Sequence, residues 1–297
     1  MNTSNKRRFV IPGIAIVIAA FLFMNRKGDS IVTPVTPVSV GQPQKTEPAN
    51  DKPAGLVMAD VLDMAMAARA HMAEKLDDYT AKFVKQERGD DGVLGEESVI
   101  QMKVQTRLRG DTEDAPMRVY LDFQAPAAMK GREVIWAQDL YDGKMVVHEV
   151  GMLLGLKRIW LDPNGMIAMQ GQRYPISQIG MVRLVEKLIE RGERDRDNPD
   201  IEVILTEDYE FNGRSTELIQ IRRGKPTEEE EDFSLAEIVI DKERQLVLLY
   251  RSFGWPENNE DSPPMIESYS YQDVEMNVGL TVEDFSPDNP AYSFPAF

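Results

Sequence analysis

The sequence predicts an α+β domain in which one large, curved antiparallel sheet carries an amphipathic helix before its strands and another in the middle of them. Three observations predict this. An apolar stripe of helical period runs through residues 56–79, a period of two then recurs in two separate sets of runs, and a second helical pattern lies between the sets. With 297 residues and 42% hydrophobic content, the chain is long enough for one such domain plus attachments.

The attachments come first. The basic "NKRR" runs directly into the apolar segment Phe9–Met24, and "NRKGDS" follows. This is the pattern of a membrane-directed segment over residues 1–27. At about 1.5 Å per residue the run is short for a hydrocarbon core of roughly 30 Å, so a cleaved secretory signal is the competing reading. Ile18-Ala19-Ala20 makes a poor peptidase site, which favours a retained single-pass anchor. The stronger basic cluster precedes the apolar run, so the N-terminus is expected in the cytoplasm and the rest on the periplasmic side of the inner membrane. Residues 28–55, with repeated prolines, are expected to form a semi-stiff spacer.

The domain proper is expected over residues 56–297. In the first helix Val61, Ala65, Ala68, Met72 and Leu76 recur at spacings of three and four. In "SVIQMKVQTR", Ile100, Met102 and Val104 share one face and polar residues share the other, as in a strand with one dry side. "MRVYLDF" repeats the pattern with Val119, Leu121 and Phe123, and the next two runs, containing Trp136, are joined by Asp142-Gly143, a dipeptide suited to a type I′ turn. Asp162-Pro163-Asn164-Gly165 ends a strand that contains Ile159 and Leu161. A helix is expected past Tyr174-Pro175, with Ser177 as its N-cap and Ile176 stapled to Met181. Its apolar face holds Met181, Leu184, Val185 and Leu188. The second set of strands folds back at Asn212-Gly213 and at "DKER", and the acidic "GKPTEEEED" is expected to be a solvated loop. The last run, "PMIESYSYQDVEMN", alternates less cleanly.

Composition excludes several functions. Cysteine is absent, which removes disulfides, thiol nucleophiles, cysteine zinc sites and attachment through a lipidated cysteine. Two histidines, His71 and His148, lie far apart, so no metal site is expected. The net charge is −16, yet the first 27 residues hold five cations and no acid, so the remainder carries five more negative charges, −21. Such a body repels phosphate backbones, and no nucleic-acid partner is expected. There is no Gly-x-Ser-x-Gly elbow, His-Glu-x-x-His helix or P-loop, and no motif singles out a catalytic pair among the 50 Asp and Glu residues. The chain is therefore read as a non-enzyme without a cofactor.

The order helix, curved strands, central helical insertion, more strands resembles the LolA and LolB superfamily of lipoprotein carriers. The phrases "YTAKFVKQERGDDGVLGEESVIQMKV", "VYLDFQAPAAMKGREVIWAQDLYDGK", "DPNGMIAMQGQRYPISQIG" and "YSYQDVEMNVGLTVEDFSPDNPAY" look more closely like an uncharacterised planctomycete-type family with this fold. The resemblance covers roughly residues 56–297 and implies an unclosed half-barrel, covered by an N-terminal helix and a central lid, with an apolar cavity for acyl chains of lipids or lipoproteins. The candidates for that cavity are Ile100, Met102, Val104, Val119, Leu121, Phe123, Trp136, Met166, Met169, Met181 and Leu184. Flexible methionines suit irregular ligands. The carrier family's functional arginine has no unique counterpart, since Arg107, Arg109 and Arg118 all lie near the corresponding strands. The same fold also serves as an envelope sensor or protein-interaction module in a LolA-like regulator of an anti-sigma factor, so an envelope protein partner is the alternative.

Overall fold

The computed structural model describes residues 56–296 apart from 90, 111, 113, 152–156, 229–231 and 259–261. The expected anchor (1–27) and spacer (28–55) lie outside the described residues. Residues Ala54–Phe297 form one compact unit. All described strands and both apolar clusters fall within it, so it holds what it needs to fold without the preceding segment.

Helix α1 (Met58–Lys75) buries Met58, Val61, Leu62, Ala68 and Met72; of the expected stripe Val61, Ala68 and Met72 are buried within it, Leu76 is buried just past its end and Ala65 is half-buried, while Met58 and Leu62 are additions. The Asp60 carboxylate accepts the backbone N–H of Val57 at 2.8 Å, one half of a capping box at the end where the helix dipole favours negative charge. Strands β1 (Asp78–Glu87), β2 (Ser98–Gln105), β3 (Arg118–Ala125), β4 (Glu133–Ala137), β5 (Met145–His148) and β6 (Ile159–Leu161) follow. Then come the four-residue helix α2 (Met166–Met169), helix α3 (Met181–Asp195), and strands β7 (Ile201–Phe211), β8 (Arg214–Arg223), β9 (Leu235–Asp241), β10 (Leu246–Phe253) and β11 (Met265–Met276).

The strands form a single antiparallel sheet in the order β6-β5-β4-β3-β2-β1-β11-β10-β9-β8-β7. It is the expected curved, unclosed sheet, and its first and last strands pair at the centre. The N-terminal wing is thus β1–β6 and the C-terminal wing β7–β11, and residues 162–200 cross from one outer edge to the other. Register places side chains in cross-strand rows on the inner face. Tyr79, Val104, Val119, Trp136, Met145 and Leu161 form one row, and Ala81, Met102, Leu121, Val134, Val147 and Ile159 form the next. The outer face of the N-terminal wing has its own core. The segment after β11 lays Phe285 and Phe294 against Tyr120, Ile135 and Val146. It is held there by Lys103–Asp284 (2.9 Å), by the Tyr120–Tyr292 ring stack (4.0 Å) and by Arg158, which donates to the carbonyls of Pro287 and Pro295.

Three local expectations are corrected. Ser177 does not cap a helix: Ile176–Gln178 is a separate 3-10 turn and α3 starts only at Met181, so the Ile176–Met181 staple does not form. Gly180 is the N-cap at φ 103°, a backbone state that a side chain disfavours, and the Tyr79 hydroxyl on β1 accepts the Met181 N–H at 3.1 Å. Asp142-Gly143 does take left-handed dihedrals, but Tyr141 does too, within a connection spanning 138–144 and not a two-residue turn. In the acidic loop, Asp232 is not merely solvated: it accepts from Arg223, Thr227 and the Trp255 indole. Asn212-Gly213 makes the expected tight hairpin, with Phe211 opposite Arg214.

Candidate functional site

The inner face of the C-terminal wing is roofed by two helices. Helix α3 lies against α1 at Gly192, where a Cβ would come within 2.8 Å of both Leu62 Cδ2 and Met58 Cε. Glycine costs a helix interior about 1 kcal/mol, and here it permits the close approach. Beneath the pair is a cavity of about 40 Å³ between Met58, Leu62 and Ala65 of α1, Leu188 of α3, and Ile219, Ile238 and Val247 of the sheet. That volume is room for a few water molecules, much less than a long acyl chain needs, so only movement of the helices makes a groove.

Two charged side chains reach the cavity wall, Arg191 and Asp195 of α3. Asp195 is paired at 2.5 Å with Arg223, itself 2.8 Å from Asp232, which ties the end of α3 to the wing. Arg191 belongs to a polar seam at the sheet centre. Glu87 of β1 and Glu267 of β11 are directly opposite, a like-charge pairing that needs cations to persist. Arg173 lies 3.1 Å and Arg191 3.4 Å from Glu267, and Lys85 lies 3.1 Å from Glu87. The Tyr269 hydroxyl donates to Glu87 at 2.7 Å and contacts Glu267 at 3.1 Å. Arg191 also donates to the hydroxyls of Tyr250 (2.9 Å) and Tyr174 (3.0 Å). Burial, aided by the Glu267 charge, pushes the Tyr174 hydroxyl up to about 12, and burial likewise raises Tyr250. Both phenols therefore keep their protons. Through Gln172, Arg173 and Arg191, the crossing segment and α3 are latched to the central strands.

The candidates drawn from the sequence cluster elsewhere. Ile100, Met102, Val104, Val119, Leu121, Phe123 and Trp136 share the inner face of the N-terminal wing and are buried, as is Met181 at the start of α3. Leu184 and Met169 are half-buried, while Met166 is 90% exposed. None of them lines the cavity. Of the arginines, Arg107 reaches the lid through Glu186 at 2.9 Å, Arg118 pairs with Asp139 at 2.6 Å, and Arg109 donates to the Thr106 carbonyl. Sequence reasoning missed Arg191 and Asp195, although the signal was present: both continue the Leu184–Leu188 stripe at helical spacing, placing charges on an apolar face. Among the described residues no group of three or more His, Asp or Glu side chains is placed to hold a metal ion, and no helix is long and apolar enough to cross a membrane.

The described residues thus form one unclosed antiparallel sheet of eleven strands whose apolar inner face is covered by helices. The profile of the family described as "Protein of unknown function (DUF1571)" matches residues 76–294, and the chain belongs to that family. No curated protein matches it. Among solved structures it is similar to a putative outer membrane lipoprotein-sorting protein domain from Vibrio parahaemolyticus, at 10% identity and TM-score 0.34, over 77% of this chain and 97% of that one. A LolA superfamily protein from Nitrosomonas europaea matches at 10% identity and TM-score 0.29, over 75% and 97%. The Pseudomonas aeruginosa MucA/MucB complex matches at 14% identity and TM-score 0.39, over 76% of this chain but only 60% of that one.

Proposed function

We propose that this is an exported binding protein for the acyl chains of lipids or lipoproteins, held on the periplasmic side of the inner membrane by its N-terminal segment. The observation that carries the reading is the apolar cavity whose roof is two helices resting on a curved sheet. A chain that lifts α1 and α3 gains about 0.8 kcal/mol for each methylene it buries. No cofactor and no catalytic step enters this reading.

The test uses residues 54–297, examined by native mass spectrometry and lipid extraction. An acyl compound that copurifies, and is lost in Ile238→Trp, is the expected result. A protein that is always empty and rejects fluorescent fatty acids sinks the proposal and favours an envelope interaction module with a protein partner. An alkaline phosphatase fusion after Gly55 should be active in cells, and an inactive one would overturn export.

A further inference from the structure

The sheet ends in two open edges that differ in reach. Strand β6 has three residues, whereas β7 has eleven and pairs only with β8. Beside the start of β7 the Gly224 N–H donates to the Asp200 carbonyl at 2.8 Å, while the Arg223 N–H turns the other way, to the Ser234 carbonyl at 3.0 Å. Bonded and non-bonded pairs alternate along an antiparallel ladder. Glu202 and Ile204 therefore bond to β8, and the N–H and C=O groups of Val203 and Leu205 face the open edge, where no strand takes them up among the described residues. The side chains there are Val203, Ile204 and Leu205, all half-buried, between the exposed Glu202 and the exposed Thr206 and Glu207. Val203 and Leu205 stand opposite Ile221 and Ile219, so the apolar inner rows run out to the edge and stop. An apolar run on a free edge is a template for a further strand.

We infer that the β7 edge takes a basic, extended segment of a partner protein as a twelfth strand. The main-chain groups can hold any strand, and charge selects which one. Strand β7 contains Glu202, Glu207, Asp208 and Glu210 and no Lys or Arg. The cations around it are committed to other acids: Arg214 to Asp241 (2.7 Å) and Glu243 (3.1 Å), Lys242 to Glu217 (2.5 Å) and Lys225 to Asp200 (2.6 Å). Arg222 of β8 stands opposite Glu202, which leaves Glu207 and Glu210 for an incoming cation. A second copy of this strand would set acid against acid, and like charges on facing strands repel. A strand with alternating basic and apolar residues meets the acids with one side and continues the rows of Val203 and Leu205 with the other. The inference does not depend on the acyl-binding reading.

Residues 54–297 are titrated with the end-blocked peptides KVKVKVK, EVEVEVE and KPKPKPK, the last keeping the charge but lacking half of the main-chain donors. KVKVKVK is expected to bind about tenfold or more tighter than either of the others, and to slow hydrogen exchange at the Val203 and Leu205 amides. Val203→Pro removes a donor that faces away from β8, a place where an edge strand tolerates proline, and should weaken KVKVKVK by about fivefold or more. If that variant fails to fold, the surface pair Glu202→Lys and Glu207→Lys should reverse the preference between KVKVKVK and EVEVEVE. Equal binding of KPKPKPK would show attraction of charge without strand pairing and overturn the inference, as would full affinity in a folded Val203→Pro protein or no binding of KVKVKVK. Protection of the two amides that grows with protein concentration, without peptide, would assign the edge to a second copy and overturn the basic partner.

Discussion

The two wings of the sheet are built from the same alternating strands, yet they are closed in different ways. The N-terminal wing is apolar on both faces: Met102, Val119 and Leu121 face inward, and Tyr120, Ile135 and Val146 face outward under the C-terminal segment. The inner face of the C-terminal wing is roofed by α1 and α3, and that roof leaves a cavity. A layer packed from both sides resists deformation because each shift breaks contacts on two surfaces. One roofed by helices that rest on a glycine contact and a polar latch can part along that plane. The difference separates a rigid frame from a yielding half, and it locates adaptability opposite the residues that the alternation pattern selected.

Removing a pillar of the frame should have the largest effect. Phe285, wholly buried in the outer core, is expected to cost about 3–5 kcal/mol when replaced by alanine, read as a shift of the urea midpoint. A loss below about 1 kcal/mol would show that the outer core does not brace the wing. A matched pair of enlargements comes next. Ala81→Val in the N-terminal wing should destabilise by about 1–3 kcal/mol through overpacking. Ala236→Val at the cavity should be neutral or stabilise by up to about 1 kcal/mol, because its methyl groups enter space already present. Equal penalties at both positions would remove the contrast between the wings.

The smallest expected effect concerns the strap on the frame. Burial pushes the Asp284 carboxyl up, but the Thr281 N–H and the Lys103 ammonium outweigh it, so its pKa lies below the usual aspartate range. A carboxyl depressed in the folded state stabilises fully above its unfolded pKa of about 3.9, and that contribution disappears as the pH falls through the lower folded value. Asp284→Asn should therefore flatten the acid limb of a stability–pH profile by less than about 1 kcal/mol. An unchanged acid limb would mean that the strap is held by its aromatic contacts alone.

Much of the fold could be read from residue order. The dry faces of β2 and β3 are the expected ones because period two is unambiguous in "SVIQMKVQ" and "RVYLDF". The helix stripe of α1 was legible for the same reason at period 3.6. Strand β1 was not separated from the preceding helix, because Lys82 and Lys85 interrupt its apolar run, and Lys85 is accommodated by Glu87 on its own strand and by Gln172 of the crossing segment. The mixed alternation of β11 has a related cause: it lies at the sheet centre, where Glu267 and Tyr269 belong to the polar seam. The start of α3 was misplaced since its cap is a hydroxyl from Tyr79, far away in sequence.

Local order thus settled what each segment is: which residues are apolar, at which period, and on which side of a strand they stand. Those properties depend on neighbours within a few positions, and they suffice for a covered antiparallel sheet. Which dry face is packed shut and which keeps space was decided only by the assembled protein. Pairing β1 with β11 sends both helices over the second wing and the C-terminal segment over the outside of the first. Packing volume and the meeting of Arg191 with Tyr250 and Glu267 are sums over residues 17 to 76 positions apart and beyond, and no short window of sequence contains them.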